Sequence, residues 1–300
     1  MNAPIVITGA NGLVGSALAE FARDGGFAVR SLVRRPDGSP GQYAWDPATR
    51  SVDPSALDGV QAVVHLAGEN IADRRWTDET KSRILSSRTQ GTQFLCETLA
   101  RLRKPPQVLV SASAVGFYGD RGSEPLDETS SRGRGFLAEV CEQWEQSTSV
   151  ARDAGIRVVL LRLGVVMTPA GGALAKMLTP FRFGGGATLG SGEQYVSWIA
   201  LEDLLAAIVH CIGESRLDGP VNATAPAPVT NAELTRTLAS VLRRPAFLRV
   251  PAFVLRGLLG EMADEMLLAS AKVLPRRLDK SGFVFRYPEL GAALSAMLAG

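Results

Sequence analysis

The sequence predicts an α/β fold, a Rossmann-type doubly wound parallel sheet with a smaller, mostly helical C-terminal lobe. Three observations carry this expectation. Strand-like and helix-like stretches alternate along the N-terminal part of the chain, as crossover helices covering a parallel sheet require. A glycine-spaced turn joins the first strand to the first helix. After residue 165 the character changes to glycine clusters and then to helices.

The elements follow in order. Ala3 to Thr8 is a short β-branched strand. Residues 12 to 24 place Leu13, Ala17, Leu18 and Phe21 at helical spacing, and a left-handed cap is expected at Gly25 and Gly26. Phe27 to Val33 and Gln61 to Leu66 read as further strands. Thr77 to Arg103 reads as a long helix stopped by Pro105 and Pro106. Gln107 to Ser113 returns to strand, Gly135 to Ala154 to helix, and Arg157 to Leu163 is apolar enough to be buried on both faces. Leu201 to Ile212 and Asn231 to Leu242 are helical, and from Pro251 onward the chain is expected to be mostly helical. The reading divides the chain into a dinucleotide-binding domain, 1–165, to whose sheet later elements can return, and a substrate lobe, 166–300, with a small helical domain at 250–300. The glycine clusters at 171–172, 184–186, 190 and 192 suit loops that wrap a site.

Composition narrows the function classes. In 300 residues, 46% are hydrophobic and 21% charged, with 32 basic against 30 acidic side chains. That balance suits an ordinary globular chain and gives no reason to expect a nucleic-acid partner. No apolar run approaches the roughly 18 residues of a membrane helix, so no membrane partner is expected. With no secretory pattern at the N-terminus either, the expected location is cytoplasmic. Cys96, Cys141 and Cys211 are widely spaced and are expected as buried free thiols. His65 and His210 have no soft ligand at metal spacing, so no metal is expected. His65 reads as a structural histidine satisfied by backbone.

The strongest motif is Thr8-Gly9-Ala10-Asn11-Gly12-Leu13-Val14-Gly15. Gly9 permits the tight turn, Gly12 lets a pyrophosphate approach the backbone, and Gly15 lets helix and strand pack closely. The helix N-terminus adds free N–H groups and partial positive charge. A site that selects NAD usually carries an acidic residue at the end of the second strand. Here that strand ends in Arg34 and Arg35, whose guanidinium groups can pair with a 2′-phosphate, so the expected cofactor is NADP.

Taken together, the glycine motif, His65-Leu66-Ala67-Gly68-Glu69-Asn70-Ile71, Ser86-Ser87-Arg88, Ser111 to Asp120, Phe136 to Val140 and Gly190-Ser191-Gly192 resemble the extended short-chain dehydrogenase/reductases. The likeness is to their atypical, epimerase-like branch, and Pro251 to Leu298 is similar to the small domain which that branch appends. The resemblance implies that Leu66, Ala67, Gly68 and Glu69 line the nucleotide. It also implies that Arg88 lies near the cofactor, Ser111 and Ala112 border the nicotinamide, and Leu163 and Val165 close over it. It further implies a homodimer built on the helices at 77–103 and 135–154.

Catalysis departs from that pattern. The superfamily uses a Tyr-x-x-x-Lys pair, in which the lysine lowers the tyrosine pKa. The four tyrosines, Tyr43, Tyr118, Tyr195 and Tyr287, are followed four residues later by Pro47, Gly122, Ile199 and Gly291, and the matching positions hold Phe136 and Val140. Ser113 and Tyr118 are the substitute catalytic candidates, with Glu69 a further polar group facing the nicotinamide. Two readings follow: an NADP-dependent, epimerase-like oxidoreductase acting on a small polar substrate, or a catalytically silent NADP-binding sensor or scaffold. A third notes that the apolar runs Phe253 to Leu259 and Met262 to Val273 can form part of a protein interface.

Overall fold

The structure, a computed structural model, describes residues 3–72 and 74–299. The chain opens with β1 (Ile5–Thr8), α1 (Leu13–Asp24), β2 (Val29–Val33), β3 (Gln42–Asp46), β4 (Ser51–Val52), β5 (Ala62–His65), α2 (Asp78–Ala100) and β6 (Val108–Ala114). Past β7 (Pro125–Leu126) come α3 (Phe136–Gln146), α4 (Ser149–Asp153), β8 (Arg157–Leu163) and β9 (Val165–Met167). Next are α5 (Gly172–Arg182), β10 (Ala187–Leu189), β11 (Tyr195–Val196), β12 (Trp198–Ala200), α6 (Leu201–Gly213) and β13 (Gly219–Ala223). The C-terminal part carries β14 (Val229–Thr230), α7 (Asn231–Leu242), β15 (Leu248–Val250), α8 (Ala252–Leu259), α9 (Glu261–Ala263), a π-helical turn at Asp264–Leu268, β16 (Lys272–Val273), α10 (Arg276–Lys280) and α11 (Leu290–Leu298).

Eight strands form one sheet in the order β13-β8-β6-β5-β1-β2-β3-β4, parallel throughout except at the β3–β4 edge. The continuous apolar runs of β1 and β5 are buried at every residue, because helices cover both faces. On one face Leu18, Ala19 and Ala22 of α1 and Leu204, Ala207 and Ile208 of α6 pack against Ile5, Ile7 and Val64. On the other, Phe94, Leu95 and Leu99 of α2 and Ala151 of α4 pack against Val6, Val63 and Leu109. The chain reverses winding between β1 and β5, which makes a crevice at the carboxyl ends of these strands.

Three local expectations are corrected. The reading placed no strand between Val33 and Gln61, yet the β3–β4 hairpin extends the sheet there; apart from the buried Trp45 its residues are half-buried or exposed, so it lacks the apolar run that marks the other strands. The expected helix at 135–154 is two helices. At the break the Ser147 and Thr148 hydroxyls donate to the carbonyls of Gln143 and Glu145, both at 2.7 Å, competing with backbone pairing. The left-handed cap expected after α1 is present, at Gly26 with φ 81°, next to Gly25 with φ −76°. From Pro251 on, the helices are short pieces interrupted by β16, which pairs with β7 of the N-terminal half.

A second core beside the sheet joins Leu174, Leu178 and Phe181 of α5, Leu234 and Leu238 of α7, Trp198 and α11. β13 returns from this half to pair with β8 in the main sheet. The Asp203 carboxylate accepts the N–H groups of Arg286 (2.7 Å) and Tyr287 (2.9 Å), fastening the C-terminal segment to the start of α6. Among the described residues no helix is long and apolar enough to cross a membrane, and Cys96, Cys141 and Cys211 are all buried and free.

Candidate dinucleotide and active site

Strand register brings the singled-out segments to one edge. Thr8 lies opposite His65, His65 opposite Ser111, Ser113 opposite Arg162 and Ala114 opposite Leu163. The loops after β1, β5, β6 and β8 therefore open side by side at the crevice. Gly9 turns the chain at φ 68°, and a Cβ there would sit 2.8 Å from the Leu66 carbonyl. The Gly12 N–H donates to Gly9 O at 2.9 Å, and a side chain on Gly15 would overlap that same carbonyl. Asn11 and Gly12 are exposed and Leu13 and Val14 half-buried, so the backbone at the start of α1 stays open to a ligand. Free N–H groups at a helix start are a geometry that can cradle a phosphate.

Under the loop lies a buried polar chain. The Thr8 hydroxyl accepts the N–H groups of Leu66 (3.2 Å) and Ala67 (3.3 Å), so its own proton is directed to His65 Nδ1 at 2.7 Å. The ring is thereby left with its proton on Nε2, which donates to Thr92 Oγ1 at 2.9 Å; Trp144 Nε1 donates to the same oxygen at 3.0 Å. Burial drives the His65 pKa down to about 4. The expectation that backbone satisfies His65 is thus corrected: two threonine hydroxyls do so. They come from elements 57 and 27 residues away in sequence.

Arg34 and Arg35 stand exposed at the end of β2, and neither makes an ion pair among the described residues. Leu66 and Ala67 are half-buried beside the glycine turn, and Gly68 is exposed. Arg88 sits behind this loop, donating to Glu69 O at 3.0 Å and Ile84 O at 3.2 Å, with its guanidinium 5.0 Å over the Trp144 ring. Burial lowers its pKa. Glu69 N–H donates to Ser87 Oγ at 3.2 Å, and the Glu69 carboxylate lies 3.4 Å from Arg83. Ser111 and Ala112 are buried at the end of β6, and Leu163 and Val165 are half-buried beside the buried Gly164.

Ser113 and Tyr118 join one buried network. Ser113 Oγ donates to Glu145 Oε1 at 2.7 Å, and Arg162 clasps the same carboxylate with two bonds of 2.8 Å. Arg162 also donates to Tyr118 Oη at 3.0 Å and stacks 3.5 Å from the Phe117 ring centroid. Tyr118 Oη lies 2.8 Å from Asn222 Oδ1 and 3.0 Å from Asp127 O. The tyrosine is 0% exposed, and burial, against the pull of Arg162, pushes its pKa up to about 12. Its hydroxyl is enclosed and committed to protein partners. Among the described residues no His, Cys, Asp or Glu cluster suits a metal ion.

At the start of α3, Phe136 takes the matching position of the tyrosine, and a carboxylate from the π-helical turn caps the helix. Glu265 accepts the N–H groups of Phe136 (3.0 Å) and Leu137 (3.1 Å). Lys81 lies 4.8 Å from the Phe136 ring centroid and pairs with Glu261 at 2.9 Å. The sequence reading missed Glu145, Arg162, Asn222 and Glu265. Arg162 inside an apolar strand was the one signal available: a buried charge requires a partner.

The sequence pattern of the NAD-dependent epimerase/dehydratase family matches residues 5–223, and that of a domain of unknown function, DUF1731, matches 250–297. The chain is 44% identical over 293 residues to the epimerase family protein Mb2239 of Mycobacterium bovis, covering 98% of this chain and 97% of that one. It is 35% identical to the human epimerase family protein SDR39U1, covering 98% and 99%. A crystal structure of human SDR39U1 (isoform 2) with NADPH superposes with a TM-score of 0.91 at 34% identity over 99% of both chains. The UDP-N-acetylglucosamine 4-epimerase of Bacillus cereus shares the fold, with a TM-score of 0.77 at 17% identity over 99% of this chain and 98% of that one.

Proposed function

Because the chain belongs to the NAD-dependent epimerase/dehydratase family, with a DUF1731 domain at its C-terminal end, we propose that it binds NADP(H) and works as an epimerase-like oxidoreductase on a small polar substrate. The observation that carries the cofactor choice is the pair of exposed arginines, Arg34 and Arg35, without an ion pair among the described residues, at the end of β2, beside a glycine turn with no room for a Cβ on Gly9 or Gly15. In this reading Gly9, Asn11, Gly12, Leu13, Val14 and Gly15 hold the pyrophosphate, and the two arginines hold the 2′-phosphate. Leu66, Ala67, Gly68, Glu69, Ser111, Ala112, Leu163 and Val165 line the ribose and nicotinamide. Arg88 acts by holding the Glu69 carbonyl, which positions the loop. When bound, the nicotinamide supplies or accepts a hydride. Ser113 borders that ring with its hydroxyl oriented by Glu145, and Tyr118 braces Arg162 from inside the protein.

A second reading, an NADP-binding sensor or scaffold, draws on Phe136 and Val140 at the Tyr and Lys positions and on the committed hydroxyls of Ser113 and Tyr118. A homodimer through α2 and α3, which rests on the resemblance, and a cytoplasmic location, which rests on the N-terminal sequence pattern and the short apolar runs, belong to the same proposal. Calorimetric titration with NADPH and NADH, repeated on Arg34→Ala, tests the cofactor assignment. Selective weakening of NADPH is the expected result, and absence of binding to either nucleotide overturns the assignment. Substrate-dependent NADPH oxidation across a panel of carbonyl compounds and nucleotide sugars then separates enzyme from sensor.

A further inference from the structure

One face of the C-terminal half carries exposed aromatic and apolar side chains set among arginines. Phe183, just past α5, is 87% exposed and Phe247, just before β15, is 82% exposed. Leu248, Phe253 and Leu258 are exposed as well. These residues come from neighbouring segments: Gly184 lies against Pro245, Gly186 against Ala246, and β10 pairs with β15, which leads through Pro251 into α8. Within α8 only Leu255 is buried, so most of that helix is not used by the protein's own core. Interspersed are Arg182, Arg243, Arg244, Arg249 and Arg256, all exposed. No acidic residue occurs from 154 to 192 or from 234 to 260. Of the five, Arg256 pairs with Asp264 and Arg249 donates to Ser191 O, whereas Arg182, Arg243 and Arg244 make no ion pair among the described residues.

We propose that this face docks on an anionic phospholipid surface. Its shape and charge select that occupant. Side chains more than four-fifths exposed project outward, as insertion among headgroups requires, and do not line a groove that would receive a peptide. The charge of Arg182, Arg243 and Arg244, which no ion pair neutralises among the described residues, repels a second copy of the same face and complements a negatively charged bilayer, where each arginine contributes about 1 kcal/mol, roughly fivefold in partitioning. α5 leads from this face back toward the glycine turn, since Gly171 and Gly172 at its start lie against Leu13. Eleven residues at about 1.5 Å each put the contact about 16 Å from the dinucleotide loop, so docking leaves the crevice open.

The test is flotation of the full chain, saturated with NADPH, with vesicles of phosphatidylcholine alone or mixed with phosphatidylglycerol. Binding to the mixed vesicles, weakened by salt and absent on phosphatidylcholine, is expected. Arg243→Gln/Arg244→Gln should lower it about 30-fold, and Phe183→Ser/Phe247→Ser should also release the protein. Unchanged melting temperatures would show that these exposed variants remain folded. No binding to the mixed vesicles, or binding that both double variants retain, overturns the proposal. So does displacement by polyglutamate with no effect of the phenylalanine changes, which points to an acidic protein. A dimer in light scattering that Phe183→Ser/Phe247→Ser dissolves makes the face a self-interface and overturns it equally.

Discussion

Replacing Glu145 by alanine should be among the most destabilising single changes in this chain. The Arg162 and Glu145 side chains are 5% and 10% exposed, and the carboxylate is the acceptor for three bonds: two from Arg162 and one from Ser113. Truncation leaves the guanidinium in place with only Tyr118 Oη and the Phe117 face as partners. An uncompensated buried charge of this kind costs about 3–5 kcal/mol. With a urea dependence of about 3 kcal/mol per molar, the unfolding midpoint should fall by about 1–1.7 M. The companion double change, Glu145→Leu/Arg162→Met, removes both charges and should recover most of the loss, because a well-packed apolar pair replaces a charge pair at little net cost. Urea titration followed by fluorescence of the four tryptophans reads both. A single variant within about 0.3 M of the parent midpoint, or a double variant no more stable than the single, would refute the argument that the pair is a buried brace.

Other expectations are equally direct. Arg34→Ala should raise the NADPH dissociation constant about 10- to 100-fold, the worth of a charge-assisted contact, and leave NADH unchanged in calorimetry. Gly15→Ala should abolish binding of either nucleotide in the same titration, since the added carbon overlaps the Gly9 carbonyl. Because the folded His65 pKa of about 4 lies below its ordinary value of 6.5, the unfolded chain binds the extra proton first. The neutral ring's contribution is therefore fully present above about pH 6.5 and is lost as pH falls toward 4, amounting to about 3 kcal/mol. Urea midpoints across that range should fall with acid, and His65→Gln should flatten the slope. Burial raises the thiol pKa values of Cys96 and Cys211 to about 12 and of Cys141 to about 11, so none should react with Ellman's reagent until the protein is unfolded.

The central strands and their crossover helices were legible because each obeys a local rule. The unbroken apolar runs of β1, β5 and β8 mark strands covered on both faces, and the glycine spacing from Gly9 to Gly15 marks the turn that enters α1. The bare arginines after β2 were legible for the same reason, since an acid is either present at that strand end or it is not. What the local pattern lacked was anything whose meaning depends on a distant partner. Ser113 and Tyr118 stand five residues apart, but what their hydroxyls face is settled by Glu145 on α3, Arg162 on β8 and Asn222 on β13. His65 is satisfied by Thr8 and Thr92, and the start of α3 by Glu265 from beyond residue 260. Hydrogen-bond partners so far apart in sequence leave no periodic trace, because the parallel register and the helices packed across it bring them together. Sequence alone thus determined the strands β1, β2, β5, β6 and β8 with the glycine turn at their edge and the positive charge after β2, while tertiary packing added β3, β4 and β13 to the sheet and decided which polar groups are enclosed to hold the crevice in place.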